Sequence, residues 1–134
     1  SYWEEMAEKP PQAFVETRDF LPLFANKPLE FTPGERTGYS NGGYVLLGLI
    51  VEAMTGETYA DHIGRTLFQP LGMTGSGYWP LDLVVPNRAD GYTRDETVPG
   101  AWRRNVFVNQ FRGNPGGGGS STVGDLTTFI AAPS

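Results

Sequence analysis

The sequence predicts a mainly α-helical chain with long loops and short strands, and three observations carry that expectation. Residues Gly38 to Gly56 pass from a polar turn straight into a long apolar stretch. Glycine and proline are abundant, at 18 and 11 residues, while only 19% of residues are charged, so the helices must be separated by many turns. Only Ala89 to Thr93 and Asn105 to Val108 read as strands, short ones across a Pro99-Gly100 turn. A chain of 134 residues is long enough for one domain with its own core.

Taken in order, Tyr2 to Ala7 reads as a short helical turn that Pro10-Pro11 stops. A second helix is expected at Thr17, with Thr17 as its cap and Phe20, Leu21, Leu23 and Phe24 as its apolar stripe. Pro22 limits it, because proline there forfeits an internal hydrogen bond. Pro28 to Gly38 is an extended approach with a Pro33-Gly34 turn. From Tyr44 to Met54 apolar residues fall on every side of a 3.6-residue period, which predicts a helix buried on most sides. Ser40 or Asn41 caps its start and Gly56 supplies a left-handed stop, so Tyr39 stands at its positive end.

Thr58 and Asp61 match a capping box, ahead of a helix with Tyr59, Ile63, Leu67 and Phe68 on one side. Gln69 to Tyr78 returns to loop, and Leu81 to Gly119 is the least regular region. By composition Gly116 to Gly119 resembles a flexible linker. It runs at once into Thr122 and Asp125, spaced as N-cap and N3 of a helix carrying Leu126, Phe129 and Ile130, so a tight, ordered turn is an equal expectation.

Composition also excludes functions. A net charge of −5 and only one adjacent basic pair, Arg103-Arg104, argue against a nucleic-acid partner. With no Cys and one His, neither a disulfide framework nor a zinc site of the usual ligands can form. The longest apolar run, Val45 to Val51, is far short of the roughly 20 residues that span a bilayer. The chain opens at Ser1 without Met or a charged-then-apolar leader, and the expectation is a piece of a longer polypeptide.

Two overlapping patterns at the central helix point to chemistry. Gly38-Tyr39-Ser40-Asn41-Gly42 satisfies G-x-S-x-G, the elbow that lifts a nucleophilic serine above an α/β-hydrolase sheet. The preceding Pro28 to Thr37 does not read as a strand, and the only His, His62, sits on the next helix beside Asp61. A helix cap accounts better for Ser40. The second pattern is Tyr39-Ser40-Asn41 read as Tyr-x-Asn. It is flanked by Pro28-Leu29-Glu30-Phe31-Thr32-Pro33-Gly34-Glu35, Gly43-Tyr44, Leu46-Leu47-Gly48, Thr55-Gly56 and Pro70-Leu71-Gly72-Met73. Ala89-Asp90-Gly91-Tyr92 and Gly117-Gly118, followed by Ser121-Thr122, Asp125-Leu126 and Phe129, complete the series.

In this order, over nearly the whole chain, these landmarks resemble the serine β-lactamase-like and penicillin-binding protein superfamily. The nearest likeness is to class C β-lactamases, DD-peptidases and related esterases. The resemblance implies that residues 1–134 form a single helical domain, the middle portion of an α/β β-lactamase-like fold. It implies Tyr39 as the acid/base group that shuttles protons for a serine nucleophile, and Asn41 as the partner of the catalytic lysine and the substrate amide. A phenol with a reference pKa of about 10 needs nearby positive charge to act as a base near neutrality, and a helix N-terminus supplies part of it. No cofactor is implied. A periplasmic or secreted parent is.

Two departures qualify the resemblance. None of Ser1, Ser40, Ser76, Ser120, Ser121 or Ser134 is followed three residues later by Lys, so the Ser-x-x-Lys nucleophile motif is missing, and Lys9 and Lys27 lie in no family motif. The later Lys/His-x-Gly motif has one formal match, His62-Ile63-Gly64, on a predicted helix too close to Tyr39 in sequence. The expectation is therefore a fragment of a serine hydrolase acting on a β-lactam, a D-Ala-D-Ala peptide or an ester, inactive by itself. It would associate with itself through an apolar face left uncovered. The alternative is a non-catalytic binding or assembly protein that kept the fold.

Overall fold

The computed structural model describes residues 2–106 and 110–132. Helix α1 (Tyr2–Ala7) is followed, where Pro10 and Pro11 end it, by a short 3₁₀ helix, Pro11–Ala13. The next helix, Thr17–Leu23, is also 3₁₀ in place of α, with Pro22 inside it. Its cap departs from the expectation. Glu16 occupies the N-cap position, and the Asp19 carboxylate accepts the backbone N–H groups of Val15 and Glu16 at 3.0 and 2.7 Å. Thr17 is buried instead and donates its hydroxyl to Glu52 Oε1 at 2.7 Å. Glu52 Oε1 also accepts the Tyr59 N–H at 2.9 Å, so one carboxylate joins three elements.

Helix α2 (Asn41–Thr55) starts at the Ser40 cap and ends at Gly56, whose φ of 71° is the expected left-handed stop. It is not buried on most sides. Its buried residues are Gly42, Val45 and Gly48, one stripe at a spacing of three, while Tyr44, Leu46, Leu47, Ile50 and Met54 are exposed. The apolar pattern set the helix period but could not say how many faces the chain itself covers. On the covered face, Val45 joins Met6, Phe14, Phe20 and Leu23 in the core, with Tyr2, Phe24 and Leu49 packed around them. The Phe14 and Phe20 rings stack at 4.9 Å. Lys27 pairs with Glu5 across the same N-terminal unit.

Helix α3 (Tyr59–Ile63) starts at Thr58, which accepts the Asp61 N–H as the capping box predicts, and runs into a π-helical turn, Gly64–Phe68. Phe68 and Tyr59 then receive Tyr78, one ring stacked at 6.3 Å and the other edge-on at 5.5 Å. Strands β1 (Tyr92–Arg94) and β2 (Trp102–Arg104) form an antiparallel hairpin around the Pro99-Gly100 turn. Both are shifted from the expected 89–93 and 105–108, and Phe107 and Val108 lie outside the described residues. The register follows from a cross-strand pair: Arg94 faces Trp102 and its guanidinium lies 4.3 Å from the indole ring.

Helix α4 (Val123–Ala131) starts at the predicted Thr122 cap. Its first-turn Asp125 accepts the Gly75 N–H at 2.9 Å and the Ser76 hydroxyl at 2.6 Å. Ser76 and Ser121 also share a hydrogen bond at 2.7 Å, and Gly77 pairs with Ser120 in an isolated bridge. These contacts order the glycine-rich stretch. It is a tight turn, with an Asn114–Gly117 bridge and left-handed backbone at Gly117 and Gly118 (φ 144° and 85°), and not a linker.

Two stability predictions follow from this packing. A Cβ on Gly48 would lie 1.9 Å from Pro115 Cγ, so Gly48→Ala should cost about 1–3 kcal/mol in urea unfolding. An unchanged midpoint would show that the turn does not rest on the helix. Burial pushes the Tyr2 phenol up to about 12 and raises that of Tyr78, the latter also through Tyr59. Both folded values exceed the unfolded value of about 10, so the stability they contribute is complete below that pH and is lost as pH rises through the folded values. Guanidinium midpoints should therefore decline above about pH 10. The double variant Tyr2→Phe, Tyr78→Phe should decline less steeply, and an equal slope would refute the assignment.

Candidate active site

Residues 28–40 deliver Tyr39 to the start of α2 without forming a strand. Gly34, at φ 88°, makes the Pro33-Gly34 turn, and Glu35 Oε2 accepts the Thr32 N–H at 3.1 Å. The Phe31 ring then packs under Gly38, where an added Cβ would approach it to 3.0 Å, and the Arg36 guanidinium lies over the same ring, 4.6 Å from its centre. This compact approach leaves Tyr39 78% exposed at the helix mouth.

Between the two expected capping residues, Ser40 does the capping: its backbone is extended and its Oγ accepts the Gly43 N–H at 3.1 Å. Asn41 is the first helical residue, and its side chain is free for another role. Asn41 Oδ1 accepts the Tyr39 hydroxyl at 2.9 Å, which leaves the Asn41 Nδ2 group as a donor. The Tyr44 ring, one turn further, stands 6.0 Å from that of Tyr39. Tyr39 and Asn41 are thus brought together at the N-terminal end of the four-turn helix α2.

The other candidates are not part of this arrangement. Ser40 has no strand before it, so the elbow geometry that G-x-S-x-G requires is absent at this position. His62 faces Glu57, with Nδ1 3.2 Å from Oε2, and the same carboxylate takes two bonds of 3.0 Å from Arg65. The hydrogen bonds from Arg65, and then His62, hold the Glu57 carboxyl below the ordinary range. His62-Ile63-Gly64 is a segment of α3 and its continuation, not a strand. Lys27 is engaged with Glu5, and Lys9 lies 5.8 Å from the Phe14 ring, so each is held by the N-terminal unit. Among the described residues, no group of three His, Cys, Asp or Glu side chains could hold a metal, and no helix is long and apolar enough to cross a membrane.

One neighbour of the site had no chemical signal in the sequence. The Asn114–Gly117 turn lies against α2, and a Cβ on Gly116 would come within 3.4 Å of the Asn41 carbonyl oxygen. Asn-Pro-Gly marks a turn, but nothing in the dipeptides says which helix it rests on.

A family model described as Beta-lactamase matches residues 2–134. The chain belongs to the β-lactamase family. It is 36% identical over 121 residues to the mouse protein called serine beta-lactamase-like protein LACTB, mitochondrial, a match that covers 88% of this chain and 21% of that protein. The crystal structure of a penicillin-binding protein from Bacillus halodurans superposes with a TM-score of 0.89 at 33% identity, covering 96% of this chain and 39% of that one. An octameric penicillin-binding protein homologue from Pyrococcus abyssi gives a TM-score of 0.71 at 30% identity, over 86% of this chain and 26% of that one. The chain spans about a fifth of the length of the curated relatives it matches. Its mostly helical architecture is that of part of a β-lactamase-like fold, as the Tyr-x-Asn landmarks implied.

The geometry separates two substitutions in this β-lactamase-family segment. Ser40→Ala removes the cap and should cost about 1 kcal/mol. Tyr39→Phe removes only an exposed bond and should stay within about 0.5 kcal/mol of the parent. Chemical denaturation of both variants tests this, and the reverse order would move the structural role from Ser40 to Tyr39.

Proposed function

We propose that this chain is the helical middle portion of a serine hydrolase of the β-lactamase-related family, one that works through an acyl-enzyme, and that it contributes the Tyr-x-Asn segment. The observation that carries the reading is the Tyr39 Oη to Asn41 Oδ1 hydrogen bond of 2.9 Å, made at the N-terminus of α2 with Tyr39 open to solvent. A tyrosine kept for packing would turn its ring into the core. This one presents its phenol.

In the whole protein a serine outside this chain attacks the carbonyl carbon of a β-lactam, a D-Ala-D-Ala peptide or an ester. The phenolate of Tyr39 takes the serine proton as the acyl bond forms and returns it to the leaving nitrogen or oxygen as the old bond breaks. Asn41 bonds the substrate amide, with Nδ2 as donor, and the catalytic lysine, with Oδ1 as acceptor. Positive charge outside this chain adds to that of the helix terminus in favouring the phenolate. The substrate is a small molecule or a peptidoglycan-type peptide. The exposed apolar side of α2, including Leu47 and Met54, favours self-association of the chain when it stands alone. A non-catalytic binding or assembly protein that retains the fold is the competing reading.

Turnover decides between them. The 134-residue chain should not hydrolyse a chromogenic β-lactam or a p-nitrophenyl ester, and the full-length protein should. In the full-length protein Tyr39→Phe should reduce turnover by about 10² to 10⁴, as expected when a general acid/base is lost. Wild-type turnover by a folded Tyr39→Phe variant would make Tyr39 structural, and acylation of Ser40 by a penicillin would revive the elbow reading.

A further inference from the structure

Among the described residues Asn114 is the most deeply buried polar residue, at 3% exposure, and both its amide oxygen and its amide nitrogen are hydrogen-bonded. Its Oδ1 accepts the Gly116 N–H at 2.6 Å and its Nδ2 donates to Gln110 Oε1 at 2.8 Å. Its backbone N–H and C=O exchange bonds with Gly117 at 2.8 and 2.9 Å. A buried amide satisfied on both its atoms commits the turn to one backbone path.

That path ends on the site. A Cβ on Gly116 would stand in ordinary contact with Asn41 O at 3.4 Å and Asn41 Cβ at 3.6 Å, so Gly116 lies about one methyl group away from the residue that accepts the Tyr39 hydroxyl. Two turns along the same helix the Pro115 ring fills the space over Gly48. On its other side the turn meets Tyr78, whose ring would lie 2.7 Å from a Cβ on Gly113 and 3.2 Å from one on Gly119. Arg112 Nε donates to the Tyr78 carbonyl at 3.1 Å and fixes that side. The turn is therefore held between Tyr78 and the first turns of α2.

We infer that Asn114 is a positioning residue for the acyl-transfer site. By holding the Asn114–Gly117 turn it sets where Gly116 bears on the Asn41 backbone, and so the geometry in which the Asn41 amide meets the Tyr39 phenol. It touches neither Tyr39 nor the place of a substrate, and it acts through Gly116. This inference rests on the reading of Tyr39 and Asn41 as the catalytic pair. Reacting groups tolerate little displacement, since a misplacement of about 1 Å can cost 10²-fold.

The test compares variants of the full-length protein by kcat, KM, the pH dependence of kcat and thermal midpoint. Asn114→Ala should lower kcat about 10-fold or more with KM little changed, and should move the limb of the pH profile that belongs to the phenol. Asn114→Asp keeps the acceptor for Gly116 and should restore most of kcat once the Gln110 amide rotates to donate. Thr17→Val, which cuts the Thr17–Glu52 bond on the other side of α2, should lower the midpoint and leave kcat and the pH profile alone. If Asn114→Ala lowers the midpoint but keeps wild-type kcat and pH profile, Asn114 is merely structural and the inference is wrong. Should Asn114→Ala fail to fold, Gly116→Ala carries the same question, because its methyl would crowd Asn114 Oδ1 at 3.0 Å while only touching Asn41, and wild-type kcat there also overturns the inference. Tyr39→Phe is measured alongside. Low activity of that variant with normal activity of Asn114→Ala and Gly116→Ala refutes positioning alone, whereas normal activity of Tyr39→Phe removes the reading of the site and the inference with it.

Discussion

Helix α2 packs closely on the rest of the molecule at two positions that carry no side chain. A Cβ on Gly42 would stand 2.8 Å from the Phe24 ring, and one on Gly48 would stand 1.9 Å from Pro115 Cγ, so a ring occupies each gap. Glycine inside a helix costs roughly 1 kcal/mol relative to alanine, and only close approach of a neighbour offsets that cost. Phe24 comes from the N-terminal unit and Pro115 from the glycine turn, segments separated by most of the chain. Both meet on one stripe of one helix, with Val45 between them at the centre of the core.

That dependence explains the uneven burial of α2. The glycine stripe is covered, and the apolar side chains on its other faces are open. A helix with leucine, isoleucine and methionine exposed in several directions is unusual for a structure that ends at its own surface. It suits a segment that forms part of a larger β-lactamase-like fold, in which the matched penicillin-binding protein structure is more than twice as long. The exposed apolar surface and the open phenol of Tyr39 lie on the same helix and its first turn. The helix therefore serves as support for the core on one side and as the platform for the candidate site at its end.

Polar contacts organise the second half of the chain, where the apolar pattern is weak. Asp125 ties the first turn of α4 to Gly75 and Ser76, Ser121 adds a hydroxyl bond, and the Gly77–Ser120 bridge closes the unit. Tyr78 follows directly and stands behind Gly113 and Gly119. Asn114 then fixes the turn that meets Asn41. Part-buried hydrogen bonds around α4 and packing of Tyr78 and Pro115 together connect α4 to the first half of α2. The Ser76, Ser121 and Asp125 side chains are engaged in these contacts.

The sequence by itself determined the local events, because those depend on neighbours a few residues away. The caps at Thr58 and Thr122, the left-handed stop at Gly56, the Pro33-Gly34 turn and the Tyr39-Ser40-Asn41 motif were all legible from residue type and spacing. It also carried the family landmarks, in order. Where Ser40 and Asn41 competed for one cap, spacing could not choose, and where Thr17 alone was expected to cap, Glu16 took the position. Tertiary contacts chose: Asn41 went to Tyr39, and Thr17 went to Glu52. The hairpin register, the exposure of α2 and the docking of Asn114 and Pro115 were likewise decided only in three dimensions. Each depends on which distant segment fills a given space, and a helical period or a turn dipeptide records that a face or a bend exists without recording what lies against it.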